Sequence, residues 1–183
     1  MEIRESNILF NIEKAIFEGS AVSTSNKLFK DIKGIYLNSE NVADDTLMYT
    51  VYTAMQDHPE IPGHLNVGMT VLMPVYINDE CNMTRGHFHD DLDCAEVYIG
   101  ISGEGLLVYM DQNGFTFAEK VYPGSTHLID GKLAHRLVNT GEVPFKVGAV
   151  WPSTAGHNYA AIEAHEFEYR IFKRNGEIVT EKR

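Results

Sequence analysis

Turn signals recur along this chain about every ten residues, and this spacing leaves room for short strands only. The signals are the dipeptides Pro62-Gly63, Asn78-Asp79, Ser102-Gly103, Asn113-Gly114, Pro123-Gly124, Asp130-Gly131, Thr140-Gly141 and Asn175-Gly176. The runs between them are rich in β-branched and aromatic residues, which favour sheets. They predict strands near 67–73, 94–101, 105–110, 115–121, 125–129, 135–139, 145–151, 168–173 and 177–181. Such a pattern is typical of an all-β sandwich or barrel.

The first 60 residues are less regular than the rest. The segment FNIEKAIFEG indicates a strand and a turn, DIKGIYLNSE a strand that runs into a turn, and NVADDTLMYTVYTAM a polar start that ends as a strand. Helices are expected to be few and short, with one near 158–165. The chain contains neither a linker nor a repeat, so we predict one domain over residues 1–183.

Composition restricts the class of protein. The 183 residues carry a net charge of -11, which argues against nucleic-acid binding but leaves room for a small anionic ligand at a local cationic site. We find no signal peptide and no apolar run of about 18 residues, so we expect no membrane association. Cys81 and Cys94 are too few for a disulfide framework, and we interpret them as reduced thiols of a cytoplasmic protein.

The stretch TRGHFHDDLDCAEVYIG carries the strongest chemical signal. His87 and His89 are two residues apart, so on an extended segment both imidazoles point to the same side. Glu96 and Tyr98 share one face of the following strand and would face a barrel interior. A buried carboxylate is costly without a partner, and a divalent cation removes that cost. His135, in LAHRLVN, is the best candidate for a fourth ligand from a later strand.

Three imidazoles and one carboxylate suit one divalent metal ion per subunit, which could be Fe2+, Mn2+, Ni2+, Co2+ or Zn2+, and ligand type does not choose among them. Our prediction for the native ion is Fe2+. Fewer than six protein ligands leave positions for water or substrate oxygens. In the competing interpretation His87 and His89 lie on a solvated loop and His135 is a core residue, but the combined motif favours the metal. We assign His58, His64, His127 and His165 to surface or structural roles.

The order Gly-His-x-His, Glu, hairpin, Pro-Gly and late His matches the two motifs of the cupin superfamily. More specifically, TRGHFHDDLDCAEVY, then YPGS followed by AHRLVNTGEVPF, and WPSTAGHNYAAIEAHEF resemble the archaeal-type glucose-6-phosphate isomerases over roughly residues 5–180. This resemblance implies a cupin jelly-roll barrel, which is a double-stranded β-helix. It also implies a cytoplasmic homodimer of glycolysis and gluconeogenesis, with residues 1–60 packed on the barrel or exchanged with the partner.

The resemblance also implies roles for individual residues. The metal ligands are His87, His89, Glu96 and His135. The phosphate of the sugar would be held by Thr70, Thr84 and Gly86, with Tyr52 nearby, while Tyr98 and His157 would line the sugar site. Two departures from the family pattern stand near the substrate, Trp151 and Lys132, each in place of a tyrosine; we expect them to alter affinity or sugar preference.

A glucose 6-phosphate–fructose 6-phosphate isomerase has two possible routes, and the sequence leaves both open. In the enediol route Glu96 is the candidate base, and in the hydride-shift route hydrogen crosses directly between the carbons. Tyr98 and His157 would position or protonate oxygens. Arg85 or Lys132 would add charge at the phosphate. Mannose 6-phosphate stays open as a substrate, and an Fe(II) cupin dioxygenase or a non-catalytic sugar-phosphate-binding cupin are the alternative functions.

Overall fold

The computed structural model describes residues 1–55 and 61–183, and most of its regular structure is strand. The strands are β1 (Leu9–Asn11), β2 (Ile16–Glu18), β3 (Ser23–Leu28), β4 (Leu47–Ala54), β5 (Leu65–Leu72), β6 (Tyr76–Ile77), β7 (Glu80–Cys81), β8 (Glu96–Ser102), β9 (Gly105–Met110), β10 (Thr116–Val121), β11 (Thr126–Ile129), β12 (Ala134–Asn139), β13 (Phe145–Pro152), β14 (Tyr169–Arg174) and β15 (Glu177–Lys182). The helices are α1 (Phe29–Ile32) and α2 (Tyr159–Ala164), with a 3-10 turn at Lys33–Ile35.

Two antiparallel sheets form the barrel. The larger has the order β11-β8-β13-β5-β4-β3, and the smaller has the order β10-β9-β12. The segment 83–88 extends the smaller sheet, because it bridges to β12 at Met83–Val138 and His87–His135. Apolar side chains from both sheets share one core, including Leu72, Leu107, Leu137 and Phe145. This is the cupin fold.

Two further sheets flank the barrel. One has the order β15-β14-β7-β6 and the other is the hairpin β1–β2. The turn Asn175-Gly176 closes β14–β15 with positive φ at both residues, as a tight hairpin turn requires. In the part of the chain described, no helix is long and apolar enough to cross a membrane.

The nine strands predicted between residues 67 and 181 are all present, within one or two residues of their expected ends. The strand and turn predicted for FNIEKAIFEG, the hairpin at Asn113-Gly114 and the short helix near 158–165 are also confirmed. One prediction was wrong: DIKGIYLNSE begins as helix, not strand. The Asp31 carboxylate accepts the Leu28 N–H at 2.9 Å, which satisfies a free donor at the start of α1. The strand lies just upstream instead, as β3.

Candidate active site

Four side chains meet inside the barrel. His87, His89, Glu96 and His135 each offer one donor atom, and these atoms all lie within 4.8 Å of one another. His89, Glu96 and His135 are 5% exposed or less. The group therefore joins three imidazoles and a carboxylate in a place from which water is almost excluded.

Strand pairing brings these residues together. His87 and His135 are direct cross-strand partners, with N···O distances of 3.3 and 3.1 Å in the two directions, so their side chains leave the sheet on the same side. Their ring centroids are 4.5 Å apart. His89 lies two residues beyond His87, and Glu96 opens β8 in the opposite sheet.

The outer ring nitrogens are held by main-chain carbonyls. His89 Nδ1 lies 2.7 Å from the Cys94 carbonyl oxygen, and His135 Nδ1 lies 3.2 Å from that of Leu133. A carbonyl only accepts, so each Nδ1 carries the proton and each Nε2 presents a lone pair. Glu96 Oε2 lies 3.2 Å from Nε2 of His89 and 3.1 Å from Nε2 of His135.

In the neutral rings, the Nε2 lone pairs of His89 and His135 repel the nearby Glu96 carboxylate unless a cation lies between them. His135 Nε2 has no hydrogen-bond partner among the described residues, although it is buried. The donor set, its convergence and this unpartnered nitrogen all fit a divalent metal ion.

The charge states also suit a metal site. Burial, together with the neighbouring His135, lowers the pKa of His87 well below its usual value. Burial opposes ionisation of Glu96, but in the absence of a metal the hydrogen bonds that protonated His135 and His89 donate lower the pKa of that carboxyl. Near neutral pH the site thus combines a neutral His87 with an ionised Glu96, the forms that bind metals.

A cavity of about 310 Å³ opens beside the ligand group, a size that suits a small metabolite. Its lining includes most of the residues that the sequence analysis assigns to the substrate: Thr70, Thr84, Gly86, Tyr98, Trp151 and His157. The sequence did not single out Tyr159, which also lines it. Its position two residues after His157, behind the Ala-Gly turn, was the sequence feature that could have indicated that Tyr159 lines the cavity.

Tyr98 and His157 flank the ligand group. Burial raises the pKa of Tyr98 well above its usual value, so its hydroxyl stays protonated and can donate. The His157 ring centroid lies 4.5 Å from that of His87. His157 is exposed at the cavity, yet desolvation by its neighbours lowers its pKa. Its imidazole is therefore neutral near pH 7 and can accept a proton.

Tyr52 and Lys132 lie away from this cavity, which differs from the prediction. Tyr52 alternates on β4 with Val51 and Thr53, which line the cavity, so its side chain is on the opposite face of the sheet. Lys132 belongs to the turn after Ile129 and lines a separate surface pocket beside Asp93.

The remaining histidines have other environments. His127 is buried and contacts Glu119 and Ser125, at 2.6 and 3.0 Å, which agrees with a structural role. His165 is exposed, while His58 falls outside the described residues.

The fold and the ligand group define a cupin with a buried three-histidine, one-glutamate group that could hold a metal ion. Residues 26–183 match the sequence model of the family described as glucose-6-phosphate isomerase (GPI). The chain belongs to that family. Curated relatives named glucose-6-phosphate isomerase include those of Pyrococcus horikoshii, 35% identical over 90% of both chains, and Thermococcus litoralis, 32% identical over 94% of this chain and 91% of that one.

Solved structures that resemble the chain include an oxalate oxidase bound to the substrate analogue glycolate and the oxalate decarboxylase of Bacillus subtilis. The first has a TM-score of 0.45 with 12% identity and covers 78% of this chain and 56% of that one. The second also has a TM-score of 0.45, with 18% identity, and covers 58% and 25% respectively.

Proposed function

We propose that this protein is a metal-dependent aldose–ketose isomerase that interconverts glucose 6-phosphate and fructose 6-phosphate. The observation that carries the proposal is the convergence of His87, His89, Glu96 and His135 on the wall of a cavity sized for a sugar phosphate. Membership of the family favours this reaction over a dioxygenase or a non-catalytic binding protein.

The phosphate of the substrate would bind at the segment that precedes His87. Thr84 Oγ1 accepts the Leu137 N–H at 3.0 Å, which leaves its own hydrogen free to donate to a phosphate oxygen. Gly86, which also lines the cavity, has φ of +79°, and a Cβ there would lie 2.8 Å from the buried Phe167 ring, so this turn of the chain requires glycine. Thr70, on β5, offers a second hydroxyl to the same cavity.

The reaction centre would lie between the ligand group, Tyr98 and His157. A divalent ion held by the four ligands supplies Lewis-acid polarisation of the sugar oxygens at C1 and C2. Tyr98 would donate a hydrogen bond to one of these oxygens, and neutral His157 would accept and return a proton during ring opening and between O2 and O1.

Coordination to a divalent ion would make Glu96 a weak base, which favours the hydride-shift route. In that route a hydride moves from C2 to C1 of the open-chain aldose while a proton moves from O2 to O1. We assign Glu96 chiefly to metal binding, with removal of the C2 proton as its role in the enediol route.

The test uses chelated protein to which Fe2+, Mn2+, Ni2+, Co2+ or Zn2+ is added back in turn. Conversion of fructose 6-phosphate should be absent without metal and should return with at least one ion, with Fe2+ expected to be the native one. NMR of the product in deuterated water should show no label at C1 or C2 for a hydride shift, while label wash-in would indicate the enediol. No conversion with any of the ions would contradict the proposal.

Three broader features belong to the same proposal. The enzyme would be a cytoplasmic homodimer with one metal ion per subunit, formed from a single cupin domain over residues 1–183. Leu9, Phe10 and Ile12 of the β1–β2 hairpin are exposed, at 56%, 41% and 83%, which supports contact or exchange with a partner. Analytical ultracentrifugation should give the mass of a dimer; a monomer at micromolar concentration would contradict this part. Mannose 6-phosphate should be tested as a second substrate in the isomerase assay.

A further inference from the structure

Arg85 holds a singular position at the cavity. Among the lining residues that the structure describes, it is the only arginine or lysine. Residues 56–60, outside the described part, contain neither residue type. A phosphate dianion entering this cavity therefore has Arg85 as its one side chain with a permanent positive charge.

The Arg85 guanidinium already has a carboxylate partner. Its Nη2 pairs with Glu163 Oε1 on α2, and its Cζ lies 4.9 Å from the ring centroid of Tyr159, also on α2. The side chains of Arg85 and Glu163 are 38% and 63% exposed. Exposed ion pairs of this kind are weak, so the guanidinium can leave Glu163 at little cost.

The two candidate partners of Arg85 differ in strength. A phosphate ester near neutral pH carries close to two negative charges, whereas Glu163 carries one. The planar guanidinium also binds phosphate through two parallel hydrogen bonds. Stacking on Tyr159 keeps the guanidinium at the cavity in either state.

Building on the proposed function, we propose that Glu163 is an exchangeable partner of Arg85: it holds the guanidinium at the cavity until a phosphate displaces it, and it thereby sets the affinity for phosphorylated ligands. Glu163 acts here as a positioning residue that competes with the ligand. Its removal should tighten phosphate binding, although the variant loses an ion pair of the folded protein.

The test measures binding without turnover. Trp151 is the only tryptophan of the chain and lines the cavity, so its fluorescence reports occupancy. The metal-loaded full chain is titrated with inorganic phosphate. Because inorganic phosphate needs no isomerisation, a failed isomerase assay would leave this measurement intact.

Four variants separate the contributions. Glu163→Gln should lower the Kd for inorganic phosphate about two- to fivefold, the range expected for loss of an exposed competing ion pair. Arg85→Gln should raise it at least about tenfold, because a charged hydrogen-bond donor is lost. In the Arg85→Gln background, Glu163→Gln should have no further effect, and Arg85→Lys should fall between wild type and Arg85→Gln.

The control is Glu168→Gln, which makes the same charge change at a residue paired with Lys182, away from the cavity. It should leave the Kd for phosphate unchanged, and none of the variants should alter binding of unphosphorylated glucose. The proposal is overturned if Glu163→Gln weakens phosphate binding or leaves it unchanged. It is also overturned if the gain is equal in Glu168→Gln or persists without Arg85.

Discussion

Two groups of buried polar side chains in this protein differ in how their atoms are satisfied. One is the Glu80 network, formed by Glu80, Arg170 and the main chain at Ile35 and Leu37. Glu80 accepts the Leu37 N–H at 2.8 Å and Arg170 Nη1 at 2.7 Å, and the same Nη1 donates to the Ile35 carbonyl at 3.2 Å. The other is the ligand group, where nitrogen lone pairs face a carboxylate with no donor between them.

The difference separates a structural role from a functional one. The Glu80 network ties the segment after α1 and the β14–β15 hairpin to the barrel, and its members satisfy one another. In the ligand group, by contrast, the ring nitrogens and the carboxylate are not fully satisfied by one another and are available to a bound cation. Buried polar side chains whose free atoms converge on one point therefore indicate a ligand, whereas mutually satisfied ones indicate architecture.

The largest effect is expected from a change in the ligand group. Glu96→Gln removes the anionic ligand, so bound metal should fall and isomerase activity should drop at least about a thousandfold, equivalent to several kcal/mol of transition-state stabilisation. In metal-free protein the free energy of unfolding should change by less than about 1 kcal/mol, because a poorly satisfied carboxylate is removed. Metal analysis and urea unfolding check both; full activity without bound metal would refute the assignment.

A change in the Glu80 network should give the reverse result. Glu80→Ala leaves Arg170, 12% exposed, without its carboxylate, and should lower the free energy of unfolding by about 3–5 kcal/mol. The control is Glu142→Ala, which breaks the exposed pair with Lys173 and should cost less than about 1 kcal/mol. Equal losses in the two variants would remove the distinction between a buried and an exposed pair.

An intermediate effect is expected at Gly131, which supports the ligand group from outside. A Cβ there would lie 2.3 Å from the Cys94 carbonyl oxygen, the group that holds His89 Nδ1. Gly131→Ala should displace that carbonyl and weaken metal affinity about 10- to 100-fold. Gly34→Ala, where a Cβ meets nothing within 4 Å, is the matched control. Competition with a metal-binding dye measures both, and unchanged affinity in Gly131→Ala would show that this carbonyl does not control His89.

The smallest effects are expected at Tyr52 and Lys132, which lie outside both groups and outside the cavity. Tyr52→Phe and Lys132→Ala should each leave KM for fructose 6-phosphate within about twofold, because neither side chain reaches the substrate. A rise of tenfold in either variant would place that residue at the substrate, for example through a partner subunit.

Local patterns in the sequence predicted the strands and the ligand group. Alternation alone places His87 beside His89 and Glu96 beside Tyr98, and the turn dipeptides divide the chain into its strands. The pairing of Glu80 with Arg170 joins residues 90 positions apart, and nothing in their surroundings signals it. The face on which Tyr52 lies depends on how β4 sits in the sheet, which residue type does not determine. Likewise, the start of α1 depends on a hydrogen bond from the Leu28 N–H to the Asp31 carboxylate.

Because His87 pairs directly with His135, the ability of the ligand group to bind a metal depends on the correct register of these two strands. A slip of one residue between these two strands would turn one of the imidazoles away from the interior and leave the other alone. Molecules with that error would keep much of their secondary structure yet lose the capacity to chelate. The amount of metal bound per molecule of protein would then give the fraction of molecules with the correct strand register, a distinction that circular dichroism cannot make.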